Sequence, residues 1–233
     1  MAPMIALLAV LLVLQDTPED LLKKVEEKYA TAKSLSVTAE IQIAGKQEGR
    51  DIKGKMEGTF RSKGERKVRS ELSGTVNDQP VPRTMNVSDG KSLASIAGME
   101  RPQKKEHALA LGTWSRRFLV RTGLLGSTSS LFASVFQSQS VKLEELFKVS
   151  EVADGGWEKV DGRERRVIKF TVASPEPGSP PMKCRIWVDH KNLVVLKRES
   201  TQTTASGSVT ITETYGDAGF DGDIPDDEFK VGD

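Results

Sequence analysis

The sequence predicts an α+β protein: one antiparallel sheet, wet on one side, with helices on its other face. Three observations carry this. Two long blocks, residues 35–96 and 147–215, alternate apolar and polar side chains with the period of a strand. Residues 17–33 and 108–136 instead place apolar residues at helical spacing. A one-faced sheet must bury its apolar side, and the chain supplies helices at its start and centre to do so.

The first helix has a full set of start signals. Thr17 stands at the cap, Pro18 at the first helical position, and Glu19 and Asp20 at the positive end of the dipole. Asp20 follows Thr17 by three residues, a variant of the capping box. Leu22, Val25, Tyr29 and Ala32 form the apolar stripe, and Lys23, Lys24, Glu26, Glu27 and Lys28 face water.

From Leu35 the period changes to two. Val37, Ala39, Ile41 and Ile43 share one face; Met56, Gly58 and Phe60 share another, as do Val68, Ser70 and Leu72. Turns are expected at 45–49, 62–65 and 77–82, and Asp89-Gly90 is a hairpin signal. Met85 and Val87 make a short strand, followed by 91–96. In the second block, strands are expected at 147–153, 157–160 and 166–173, with turns at 154–156 and 161–162. Ile168, Phe170 and Val172 share a face. The proline-rich 174–181 cannot join a central strand. Residues 183–189, 194–203 and 208–215 read as a three-stranded meander.

In the central segment Leu111, Trp114, Phe118, Thr122 and Leu125 lie on one helical face. Arg116 projects to the opposite side, with Arg117 and Arg121 flanking the stripe. Gly123 and Gly126 break the pattern, and Leu131, Phe132, Val135 and Phe136 resume it. Two short helices are expected, hinged through Gly123, Gly126 and residues 127–130. They serve as core, or they also line and close an apolar ligand pocket.

The 233 residues fit one domain, and a net charge of +1 argues against general nucleic-acid binding. The charge is unevenly spread. Residues 46–121 hold 17 Lys/Arg against 9 Asp/Glu, and residues 199–233 hold 1 against 9. Such runs are solvated faces that attract weakly, or a basic surface for anionic head groups. The single cysteine, Cys184, alternates with Ile186 and Val188 and reads as a small buried hydrophobe.

Motifs for chemistry are missing. The two histidines are His107 and His190, and the second lies in the turn-forming Asp189-His190-Lys191-Asn192. No metal-ligand cluster or phosphate-binding glycine loop is present, and the acidic tail lacks EF-hand spacing. No catalytic residue, metal or cofactor is predicted. Met4 to Leu14 is an apolar run of signal-peptide length, although no Lys or Arg precedes it. Residues 1–15 are therefore expected to be a signal peptide, and 16–233 a single domain outside the cytoplasm.

Two segments carry a resemblance. RIWVDHKNLVVLKRES is a strand ending in W-V-D, a turn, and a strand that reaches an arginine. The chain then closes on I-P-D-x-x-F, and it opens with DLLKKVEEKYATAKSLSVTAEIQI, a helix entering a first strand through K-S-L. This resembles the periplasmic lipoprotein-carrier superfamily (LolA-like, outer-membrane lipoprotein sorting). The resemblance implies a strongly curved antiparallel sheet, an incomplete β-barrel, with the helices over its concave face. It implies a non-enzymatic carrier of lipid or lipoprotein acyl chains, a monomer with a membrane-protein partner in the envelope. The alternative is a structural or interaction protein with a self-filled core. Pocket candidates from the sheet are Val37, Ile41, Met56, Phe60, Val68, Leu72, Ile168, Phe170, Ile186 and Val188. Those from the helices are Trp114, Phe118, Leu125 and Phe132.

Overall fold

The computed structural model describes residues 16–97, 103–106, 110–137, 147–173, 178, 180–216 and 218–230. Within these, the side chains of 97, 103–105, 127 and 129–137 are not described. The expected signal peptide and the side chain of Phe132 lie outside the described residues.

Helix α1 spans Pro18–Thr31. Thr17 caps it as expected, accepting a hydrogen bond from the Asp20 amide at 3.1 Å. Six strands follow: β1 Ser34–Gln47, β2 Arg50–Lys63, β3 Lys67–Val76, β4 Gln79–Asp89, β5 Ser92–Ala97 and β6 Gln103–Glu106. Helix α2 spans Leu111–Gln137. Then come β7 Val149–Val160, β8 Arg163–Val172, β9 Met182–Asp189, β10 Val194–Thr204, β11 Gly207–Tyr215 and the short β12 Gly219–Phe220. A 3-10 turn, Asp226–Phe229, ends the described chain.

The strands form one sheet in the order β6-β5-β4-β3-β2-β1-β11-β10-β9-β8-β7, with β12 added to β1. Each pairing is antiparallel. Two meanders, β1–β6 and β7–β11, are thus joined by the pairing of β1 with β11, and α2 is the connection between them. The outermost strands, β6 and β7, do not pair, so the barrel is open. Helix α2 lies over β1–β4, while α1 touches α2 and β7. One core gathers side chains from both helices and both meanders. The architecture is the predicted one: a curved, unclosed antiparallel sheet with helices on its concave face.

Two expected turns proved to be strand. Residues 154–156 lie inside β7, where register shifts fall between Ser150/Ala153 and Asp154/Gly156. The turn chemistry is used for a bulge: Asp154 Oδ1 accepts the Gly156 amide at 2.8 Å, and Gly156 has φ +82°. The turn placed at 77–82 is confined to Asn77 and Asp78, both at positive φ. Pro80 and Pro82 belong to β4 beyond Thr84, where β5 no longer pairs with it. A proline is tolerated on such a one-sided stretch.

The acidic C-terminus packs on the basic outer face. Asp226 bridges Lys63 at 2.9 Å and Lys67 at 2.8 Å, and Glu228 pairs with Arg61 at 2.8 Å. Phe229, fully buried, anchors this strap against β3 and β4. The opposed charge runs therefore meet each other at this point. Hydrogen bonds from Lys67 and Lys63 pull the Asp226 carboxyl down from 3.8 to about 2. A depressed carboxyl pKa stabilises the fold above its unfolded value, and that share is lost as pH falls toward about 2. Asp226→Asn is expected to lower the urea midpoint at pH 5, with the gap to wild type closing by about pH 2. A gap that stays constant across that range would refute the assignment.

Candidate functional site: the interior beneath the kinked helix

The concave face is built in rows. Ile168, Ile186, Arg198, Glu213, Ile41 and Met56 stand side by side across six strands. A neighbouring row carries Tyr215, Ala39, Gly58 and Leu72. Every sheet candidate is in the core: Val37, Ile41, Met56, Phe60, Val68, Leu72, Ile168, Phe170, Ile186 and Val188 are all buried. Of the helical candidates, Phe118 is fully buried, while Trp114 and Leu125 are partly buried against the same core. Phe118 lies between Trp114 (centroids 4.1 Å apart) and Phe147 (5.1 Å). Gly58 brings sheet and helix together, since a Cβ there would stand 2.4 Å from Leu124 Cδ2.

The helix break is narrower than expected. Helix α2 is two helical runs meeting at Gly123, whose φ of 74° and ψ of −179° belong to a region open essentially to glycine. Gly126 and residues 127–130 continue the second run as helix. At the kink the buried Glu213 of β11 accepts the amides of Leu124 at 2.8 Å and Leu125 at 2.9 Å. It also accepts the Tyr215 hydroxyl. A carboxylate from the sheet thus caps the second run at its positive end. The expected Gly/Ser/Thr hinge reduces to one glycine because Glu213 supplies the starting cap.

Arg116 does not point to water. It is 2% exposed and reaches back to the end of α1. Its Nε donates to the Tyr29 carbonyl at 2.9 Å, and Nη2 to the Ala30 carbonyl at 3.1 Å. Nη1 donates to the Gly64 carbonyl at 2.9 Å and to Ser62 Oγ at 3.2 Å. Burial lowers its pKa to about 10, so the guanidinium stays charged at neutral pH. Arg121 adds a two-toothed pair with Glu26 of α1, at 2.7 and 2.8 Å. The two helices are therefore tied to one another by arginines, and α2 is tied to the sheet by Glu213.

Arg198 is the other polar group that periodicity missed. It is 1% exposed on the concave face, with Nη2 3.0 Å from Cys184 Sγ and its charge over the Phe170 ring. Burial opposes its charge, yet Cys184, Tyr215 and Glu213 hold its pKa above the ordinary arginine value. Cys184 is buried as expected, with this polar neighbour.

Among the described residues, helix and sheet close directly on one another beside Tyr29 and Tyr215. The space bounded by Tyr29, Val37, Leu119, Val120, Val195 and Tyr215 has no room for a water molecule. A groove of about 530 Å³ lies instead on the outer face, lined by Thr38, Glu40, Glu57, Thr59, Glu71 and Arg83 among others. Its lining mixes these polar and charged groups with Ala39, Gly58, Leu72 and Tyr215. Among the described residues there is no cluster of His, Cys, Asp or Glu that could hold a metal, and no helix long and apolar enough to cross a membrane.

Several solved structures align with the chain over most of its length at low identity. A LolA-superfamily protein from Nitrosomonas europaea aligns at 13% identity and a TM-score of 0.35, over 93% of this chain and 99% of its own. LprF from Mycobacterium bovis aligns at 11% and 0.45, over 89% and 94%. A putative outer membrane lipoprotein-sorting protein domain from Vibrio parahaemolyticus aligns at 10% and 0.39, over 91% and 95%. No protein-family model and no curated protein matches the chain. Likeness at this level concerns the order of elements and transfers neither ligand nor partner.

Proposed function

We propose that the protein is an exported, non-enzymatic carrier or binding protein that holds lipid acyl chains, free or on a lipoprotein, between sheet and helices. The observation that carries this is the lid. A largely apolar concave face, interrupted by Arg198 and Glu213, is covered by a helix broken at a glycine-only kink and held there by a few polar ties. Opening at Gly123 would expose Phe118, Leu124 and the sheet rows to a chain, with Arg116 and Arg121 keeping α1 and α2 together. An envelope membrane protein that delivers or receives the lipid is the partner this reading requires.

A second reading, a structural or interaction protein with a self-filled core, is favoured by the direct closure of helix on sheet beside Tyr29 and Tyr215. Organic extraction of the purified protein, followed by mass spectrometry, separates the two. The carrier reading expects co-purified or acquired lipid, and a protein that never takes up lipid belongs to the second. Trp114 gives a further test. In a Trp157→Phe, Trp187→Phe background its emission is expected to shift on adding lysophosphatidylcholine, because it stacks on Phe118 at the lid. Phe118→Ala is expected to lower stability by about 3–5 kcal/mol, as for a filled core. The carrier reading adds a loss of the lipid-induced Trp114 shift. An unaltered shift in that variant would detach Phe118 from the lipid site.

A further inference from the structure

Arg198 has a deficit that its surroundings do not fill. Its Nη2 meets a thiol, a weak partner, while Nε and Nη1 are buried with no hydrogen-bond acceptor among the described residues. Glu213, directly opposite in register, is already engaged by the Leu124 and Leu125 amides and the Tyr215 hydroxyl. A buried cation with unmet donors is destabilising, and because native folds satisfy nearly all such groups it calls for an explanation. Glu213 and Ser200 lie beside it, and its other neighbours on the concave face, Ile168, Phe170 and Ile186, are apolar. Apolar walls with a few convergent polar groups are the usual make-up of a small-molecule site.

We propose that Arg198 is the polar anchor of the interior, receiving the acyl carboxyl oxygens of a lipid whose chain lies along the concave face under α2. This rests on the carrier reading above and names its ligand class: an acyl carboxyl group, as a free fatty acid or as an ester. Guanidinium bonds to a carboxylate are charge-assisted and roughly twice as strong as neutral ones, so the free acid binds tighter than the ester. A lipid with a cationic head gains nothing there and meets a like charge.

The test is titration of the full chain with sodium oleate, methyl oleate and oleylamine, read by Trp114 emission in the background given above. Wild type is expected to bind oleate at least about tenfold more tightly than oleylamine, with methyl oleate between them; a tenfold step is about 1.4 kcal/mol. Arg198→Met, of similar length and apolar, should bring the three affinities together, with circular dichroism confirming its fold. Equal binding of oleate and oleylamine by wild type would overturn the anchor and leave the carrier reading standing. So would a folded Arg198→Met that keeps the preference. Tighter binding of methyl oleate than of oleate would assign the site to esters and remove the charge-assisted contact. Binding of none of the three would remove both readings.

Discussion

Glu213→Ala is expected to lower stability by about 3–5 kcal/mol, because several buried polar groups lose their acceptor at once. Three effects converge. The Leu124 and Leu125 amides lose their acceptor at the start of a helical run. The Tyr215 hydroxyl loses its partner. Arg198 is left as a buried cation with no opposed carboxylate beside it. Glu213→Gln keeps one acceptor oxygen and is expected to lose about 1–3 kcal/mol. Gly123→Ala probes the same joint from the helix. Its Cβ would lie 2.5 Å from Glu213 Oε2, at a positive φ that alanine resists. With Glu213 already removed, that collision vanishes. The double variant should therefore lose about 0.5 kcal/mol or more less than the sum of the singles. Urea midpoints of the four proteins check this; additive losses would show that the kink does not depend on Glu213.

Most of the architecture was legible in the sequence because alternation and helical spacing report burial directly. The rows containing Val37, Ile41, Phe60 and Ile186 needed nothing else. The cap at Thr17 was equally readable, since its partner Asp20 is three residues away. The polar groups that organise the site were less so. An amphipathic stripe assigns Arg116 only to the opposite face and names no partner for it. Its acceptors at Tyr29 and Ala30 are 87 and 86 residues distant. A usable signal existed: residues 108–136 contain three arginines and no Asp or Glu, so no pair within the segment could satisfy them. Glu213 had one too, standing between Ile211 and Tyr215 on the inward side of its strand. Arg198 had less, because a register shift between Val195 and Lys197 moves it onto the concave face out of step with simple alternation.

Arg116→Ala is expected to be as damaging as any single change in the helices, about 3–5 kcal/mol, through the acceptors it strands. Among the described residues the guanidinium makes no ion pair; its charge rests on carbonyls at the negative end of α1 and on the β2–β3 turn. Removing it leaves the Tyr29 and Ala30 carbonyls buried around a hole, beside the more open Gly64 carbonyl. Arg116→Lys should recover little, because one ammonium cannot span acceptors that diverge around a planar fork. Arg121→Ala breaks the pair with Glu26, whose partners are 16% and 13% exposed, and is expected to lose about 1–3 kcal/mol. The ranking, Arg116→Ala worse than Arg121→Ala, can be read from urea midpoints. Hydrogen exchange adds location: Arg116→Ala should release the amides of the last turn of α1 and of the Gly64 turn, while leaving β9–β11 protected. If Arg121→Ala proved the more destabilising, the two helices would be joined mainly by the Arg121–Glu26 pair, and the Arg116 contact at the end of α1 would be incidental.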